Sequence, residues 1–332
     1  VNQSEQNMLC TDVRVVEKAR LFLGKDNNPA GTICKAFKHV GPPHSESVDI
    51  ERKCIGTAHE YPCRTRSLKT VIMSPLLSLP FMENDRQRVE KALVASVTTS
   101  DAYMTEIASH LISAGGKRLR PVFTIVGSQV GNDLVATEEA IAGGISCELV
   151  HLGSLYHDDV MDESDMRRGV ETVNARWGNL QAILAGDFLL AKASEIAASL
   201  GTEVAALLAR TIGRLCEGQI EELRHTYNVA RTVDSYLDSI DGKTAALYST
   251  AARIGGLVAG HDRAVVDALT AYGTAYGMVF QIVDDVLDLT ATDEELGKPA
   301  GNDMKEGVYT LPVLHTLAKG GTDADTLKSI LG

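Results

Sequence analysis

Ala182 to Leu200 reads AILAGDFLLAKASEIAASL, and shortly after it Glu203 to Leu215 reads EVAALLARTIGRL. In both stretches small and apolar side chains recur at three- and four-residue intervals, the spacing that lines one face of an α-helix. Neither contains a proline, and Ala and Leu, strong helix formers, dominate both. The same texture extends outward from about Met82. Only Pro121, Pro299 and Pro312 follow Phe81, and alternating β-branched runs are scarce. Gly131-Asn132-Asp133 and Gly260-His261-Asp262 supply turns between helices. The expectation is an all-α chain, one large bundle of about ten helices over residues 82–332.

The chain has 332 residues, 44% hydrophobic and 23% charged, with a formal net charge of −12. That balance gives no general drive toward nucleic acid or an anionic membrane, although it leaves room for a local cationic pocket. The longest uncharged run, Ala268 to Val283, is too short for a membrane span and includes Thr, Tyr, Gly and Gln. No transmembrane segment is expected.

The first 72 residues differ in kind. They are net basic, while the rest of the chain carries the acidic excess. They hold Cys10, Cys34, Cys54 and Cys63, four of the six cysteines, and show no sustained period beyond a short helix near Val13 to Leu23. Cys54, His59 and Cys63 do not match a zinc-ligand spacing. Residues 1–81 therefore read as a poorly ordered extension foreign to the fold, with a natural start near Met73 or Met82. Free thiols, with neither a secretory nor a transit-peptide pattern, point to the cytoplasm.

Two acidic stretches carry the chemistry. Asp158-Asp159-Val160-Met161-Asp162 and Asp284-Asp285-Val286-Leu287-Asp288 both have the form D-D-x-x-D, and each follows a largely apolar helical run. On a helix, Asp158 stacks with Asp162 and Asp284 with Asp288, and like charges at that spacing repel. One such stretch alone reads equally well as a solvated helix end. Two in apolar surroundings point to a shared cation. Oxygen ligands favour a hard ion, and Mg²⁺ typically takes one or two carboxylates together with waters and substrate phosphates. Facing clusters would clamp a diphosphate through Mg²⁺.

Basic residues complement them. Gly115-Gly116-Lys117-Arg118-Leu119-Arg120-Pro121 sets Lys117 and Arg120 three residues apart at a helix start, and Arg167-Arg168-Gly169 follows the first cluster. Lys supplies a point charge and Arg a fork for phosphate oxygens. Gly242-Lys243-Thr244 is not a nucleotide-binding P-loop, because Leu237 stands where that motif needs its first Gly.

In their order, GGKRLRP, ELVHLGSLYHDDVMDESDMRRG, DGKTAAL and FQIVDDVLDL with the downstream GKPAGNDMKEGVYTLPVL resemble the trans-polyprenyl diphosphate synthases, from about Asp85 to Leu317. The resemblance implies the isoprenoid-synthase bundle with a central catalytic cavity, usually a homodimer. It implies that Asp158, Asp159, Asp162, Asp284, Asp285 and Asp288 bind Mg²⁺ and an allylic diphosphate, with Asp158, Asp162, Lys243 and Asp284 central to catalysis. Lys117, Arg120, His151 and Arg168 match positions that hold isopentenyl diphosphate. Arg167, Lys243, Thr244, Gln281 and Lys298 match positions near the allylic substrate. The helix entering the first cluster carries small residues, Ser154 and Gly153, then Val150 and Cys147, which suggests a product longer than C15. The family usually continues through further helices past the segment matching Leu317, and it often has a basic residue at Val308. A non-catalytic or truncated partner subunit and a terpene cyclase remain alternatives; Lys117, Arg120 and the second full D-D-x-x-D disfavour the cyclase.

Overall fold

Helix caps divide the sequence where its apolar periodicity breaks. The computed structural model describes residues 82–131, 135–291 and 301–331. The extension over 1–81 and Lys298 lie outside the described residues. Helix α1 (Met82–Val97) leads to α2 (Ala102–Ser113), whose N-cap Asp101 accepts from the Tyr103 and Met104 amides. Helix α3 spans Leu119–Gln129 and α4 spans Glu138–Met161. Thr137 caps α4, and Glu138 and Glu139 suit its positive end.

A two-stranded hairpin (β1 Met166–Arg167, β2 Val170–Glu171) and the short α5 (Val173–Trp177) follow. The two diagnostic stretches become α6 (Asn179–Ser199) and α7 (Thr202–Arg224). Helix α8 (Val233–Ile240) runs directly into a π-helical turn, Asp241–Ala245, and on into α9 (Ala246–Val258). Helix α10 (Arg263–Thr290) is the longest described; α11 (Asn302–Lys305), α12 (Leu311–Lys319) and α13 (Thr322–Leu331) complete the all-α architecture.

The centre of the bundle is α4, which packs on α3, α6 and α9, while α9 also packs on α3 and α10. Leu149, Leu152, Tyr156, Leu189, Leu247 and Ile254 are fully enclosed there, each contributing about 1.5–3 kcal/mol of burial. The Tyr156 hydroxyl donates to the Ile107 carbonyl at 2.8 Å, tying α4 to α2. A smaller core of Tyr236, Ile240, Tyr309, Val313 and Leu314 forms where α8, α10 and α12 meet. The start of α6 leaves Leu180 (74% exposed), Ile183 and Leu184 (64% exposed) uncovered. Among the described residues no helix is long and apolar enough to cross a membrane.

Candidate active site

Both D-D-x-x-D stretches terminate helices. Asp158 and Asp159 lie in the last turn of α4, and Asp162 is its C-cap, with its amide donating to the Asp158 carbonyl at 2.8 Å. Asp284, Asp285 and Asp288 occupy the last two turns of α10. A carboxylate at a helix C-terminus meets the negative end of the dipole, at roughly 0.3–1 kcal/mol each. Neither helix has a basic residue in its last turn. Compensation has to come from elsewhere in the fold.

For the first cluster it comes as charge. Pairing of Arg167 with Val170 leaves Arg168-Gly169 as a two-residue turn, with φ of 55° and 78°. Positive φ at both central residues is the type I′ geometry that suits a tight hairpin, and Gly169 adopts it freely. The turn sends the two arginines apart. Arg167 Nε donates to Asp159 Oδ1 at 2.5 Å, against a carboxylate side chain only 1% exposed. Arg168 donates instead to the Leu111 and Gly115 carbonyls. Burial raises the Asp159 carboxyl and Arg167 opposes that shift. Asp158, half-buried, is pushed up to about 6 by burial, with Lys243 pulling the other way and Asp162 adding repulsion.

Lys243 and Thr244 sit on the π turn between the clusters. Lys243 Nζ donates to Glu222 at 2.6 Å. Burial lowers the ammonium's pKa, but Glu222 and Asp158 more than offset this and hold it above its ordinary range. Thr244 Oγ1 donates to Gln281 Oε1 at 2.8 Å, and Gln281 Nε2 donates to Asp285 Oδ1 at 2.7 Å. The π turn thus faces Asp158 with one residue and reaches the second cluster with the next.

In the second cluster Asp285 is held by neutral donors. The Tyr236 hydroxyl donates to Asp285 Oδ2 at 2.6 Å, so both oxygens of this buried carboxylate are engaged. Burial nevertheless pushes Asp285 up to about 7. Asp288, also buried, accepts the Asp303 amide at 3.2 Å. Asp284 is the more open member.

On the cationic side, Gly115 and Gly116 precede α3 with positive φ, and Lys117 is exposed. Arg118 turns inward: it donates to Glu90 at 2.8 Å, to Glu148 at 3.2 Å and to the Ile112 carbonyl at 2.9 Å. The Arg120 guanidinium stands 4.8 Å over the Tyr248 ring, and its Nε is buried with no hydrogen-bond partner. Burial, then Arg120, Arg168 and Arg167, hold His151 well below its ordinary pKa, so its imidazole is neutral at physiological pH. Arg120, His151 and Arg168 therefore share one electropositive region.

Do these residues suit a divalent cation? Asp159 Oδ2 is buried without a hydrogen-bond partner, and Asp158 is held in repulsion with Asp162. Among the described residues no three His, Cys, Asp or Glu side chains form a ready-made cage. An ion that takes one or two carboxylates and completes its shell with water and phosphate oxygens, as Mg²⁺ does, fits this donor set.

A Cβ on Gly153 would meet the Gly186 carbonyl at 3.0 Å and Leu190 at 3.2 Å, so Gly153 is also needed for the close α4–α6 contact. Sequence reasoning did not single out Glu222, Tyr236 or Arg118. The hint for Glu222 was slight: an acidic residue amid a run of polar ones in an otherwise apolar-striped helix.

Comparison with known proteins agrees with this fold. Residues 101–332 match the family model described as Polyprenyl synthetase. The chain is 41% identical over 244 residues to the nonaprenyl diphosphate synthase of Mycobacterium tuberculosis, covering 74% of this chain and 72% of that protein. It is 41% identical over 239 residues to heptaprenyl diphosphate synthase component 2 of Geobacillus stearothermophilus, covering 72% of this chain and 74% of that one. A crystal structure of a polyprenyl synthase from Caulobacter crescentus, complexed with calcium and isoprenyl diphosphate, superposes with a TM-score of 0.72 at 34% identity, covering 78% of this chain and 79% of that one.

Proposed function

The chain belongs to the polyprenyl synthetase family, and from that premise we propose that it condenses isopentenyl diphosphate with an allylic prenyl diphosphate to give a longer all-trans polyprenyl diphosphate. The observation that carries the reading is the π turn, which sets Lys243 against Asp158 and links Thr244 through Gln281 to Asp285. One allylic diphosphate fits between the two clusters on this arrangement. Lys117, Arg120, His151 and Arg168 hold the diphosphate of the second substrate.

Asp158, Asp162 and Asp284 are the more accessible carboxylates and would hold Mg²⁺. Asp159, Asp285 and Asp288 are buried and brace them. Bound Mg²⁺ would supply positive charge to the leaving diphosphate. Lys243, and Arg167 beside the first cluster, add fixed positive charge where the leaving group gains electrons. The allylic carbon–oxygen bond breaks and its electron pair departs with the diphosphate. The double bond of isopentenyl diphosphate then attacks the allylic carbon, and a proton passes to the released diphosphate as the new double bond forms. No side-chain nucleophile is required. Lys298 belongs with the allylic substrate on this reading.

The test is to incubate purified protein with Mg²⁺, labelled isopentenyl diphosphate and an allylic primer, then chromatograph the products. Longer prenyl diphosphates are expected; cyclic hydrocarbon formed without isopentenyl diphosphate would contradict the assignment. The exposed Leu180, Ile183 and Leu184 stripe supports a homodimer, checked by light scattering. The likeness to a heptaprenyl synthase component favours a second reading, a catalytic subunit that needs a partner. Product appearing only on addition of a second chain would support that reading. Ser154 is half-buried on α4 above Val150 and Cys147, and a Ser154→Phe substitution is expected to shorten the main product. The free buried thiol of Cys147 and the absence of a membrane-length helix among the described residues fit a reducing compartment such as the cytoplasm.

A further inference from the structure

Two glycines grip the π turn. Gly218 on α7 and Gly242 in the turn meet backbone to backbone: a Cβ on Gly218 would lie 2.7 Å from the Ser239 carbonyl and 2.9 Å from the Gly242 carbonyl carbon. A Cβ on Gly242 would lie 2.8 Å from the Arg214 carbonyl and 3.0 Å from Gly218 Cα. On the opposite side, a Cβ on Gly277 of α10 would lie 2.5 Å from Ala245 Cα and 3.0 Å from its Cβ. All these separations are well inside van der Waals contact, and a close-packed interior does not yield that much without movement.

Each glycine also has a polar companion one turn further along its own helix. Gly218 is followed at i+4 by Glu222, which accepts from Lys243. Gly277 is followed at i+4 by Gln281, which accepts from Thr244. Positions four apart share a helix face, so each helix presents a flat seat and a hook to the same turn. Ion pairing of Arg214 with Asp241 fixes the start of the turn.

We propose that Gly218 and Gly277 are positioning residues that seat the π turn, so that Glu222 and Gln281 can aim Lys243 and Thr244 at the reacting diphosphate. The proposal rests on the prenyl-transfer reading above. A π turn is an uncommon conformation, frequently found at functional sites, and here it is packed closely between Gly218 and Gly277.

The experiment compares Gly218→Ala, Gly277→Ala and Gly213→Ala in the full chain. Gly213 lies on the same helix as Gly218, and a Cβ there meets nothing within 4 Å. We expect Gly218→Ala and Gly277→Ala to keep wild-type circular dichroism and to bind isopentenyl diphosphate within about threefold of wild type by calorimetry. Their saturated turnover should fall about 100-fold, the cost of misplacing a group by around 1 Å. Gly213→Ala should turn over within twofold of wild type. In a Lys243→Ala, Thr244→Ala background, Gly218→Ala should cost nothing further, since the seat acts through those two groups. Wild-type turnover in Gly218→Ala, an equal loss in Gly213→Ala, or losses that multiply in that doubly substituted background would overturn the proposal. Should both seat variants fail to fold, Glu222→Gln decides: a tenfold loss absent in the Lys243→Ala background supports the hook, and unchanged turnover overturns it. A wild-type chain that makes no longer prenyl product would instead undo the functional reading, leaving the packing observation as it stands.

Discussion

The ends of α4 and α10 carry the same five-residue pattern and solve the same electrostatic problem differently. At the end of α4, Asp159 is neutralised by the Arg167 guanidinium, and Asp158 faces the Lys243 ammonium. At the end of α10, Asp285 is held by a phenol and an amide, and Asp288 by a backbone amide. Asp159 is therefore held by opposite charge and Asp285 by hydrogen bonds from uncharged donors. Asp159 should respond to loss of the opposite charge, and Asp285 to loss of its specific donors. Identical motifs do not imply identical roles for their members. In both clusters the middle Asp is buried and engaged, which leaves the first Asp of each better placed to meet a ligand.

The largest expected effect falls on both clusters alike. Asp158→Ala or Asp284→Ala should lower turnover by about 10³-fold or more, with helicity unchanged by circular dichroism, because each removes a carboxylate opposite the leaving group. Near-normal turnover in either variant would break the symmetry of the clamp.

Stability should then separate the two. Arg167→Met strands the buried Asp159 without its cation. A buried pair broken on one side costs roughly 3–5 kcal/mol, and the part-exposed arginine reduces this to about half. Adding Asp159→Asn should restore most of the loss. Tyr236→Phe removes one hydrogen bond to a buried carboxylate and should cost about 1.5–3 kcal/mol. Chemical denaturation of the three variants checks this, and an Arg167→Met loss that Asp159→Asn does not restore would remove the distinction.

A smaller effect concerns pH. Burial and the surrounding guanidiniums keep folded His151 unprotonated well below 6.5, whereas the unfolded chain takes up a proton near 6.5. Below that pH the unfolded state binds more protons, so this contribution to stability is present above about 6.5 and is lost as pH falls. His151→Gln should flatten the decline in melting temperature between pH 6.5 and 5. An unchanged slope would place the acid sensitivity elsewhere.

Legibility followed the range of the interactions. Helices α6 and α7 are written in local periodicity, and so is the i,i+4 pairing of Asp158 with Asp162, although Asp162 turns out to cap its helix and not to lie within it. The Arg167-Arg168-Gly169 hairpin turn was legible only as a cluster of charge; its I′ geometry, which parts the two arginines, depends on Gly169. The π turn was not legible, because its conformation is set by Gly218 and Gly277, which approach from two other helices. Tyr236 lies 49 residues from Asp285 in sequence, and no local pattern links them. The packing of Gly153 against Gly186 and Leu190 was likewise not legible, because those partners lie on another helix.

Calorimetric titration of Mg²⁺ into the protein, with and without a non-ionisable allylic thiodiphosphate, probes the shared grip on one diphosphate most directly. Tight uptake of the ion only when the analogue is present, abolished by Asp158→Asn and by Asp284→Asn alike, is the expected result. Uptake that ignores the analogue, or that survives either substitution, would contradict it.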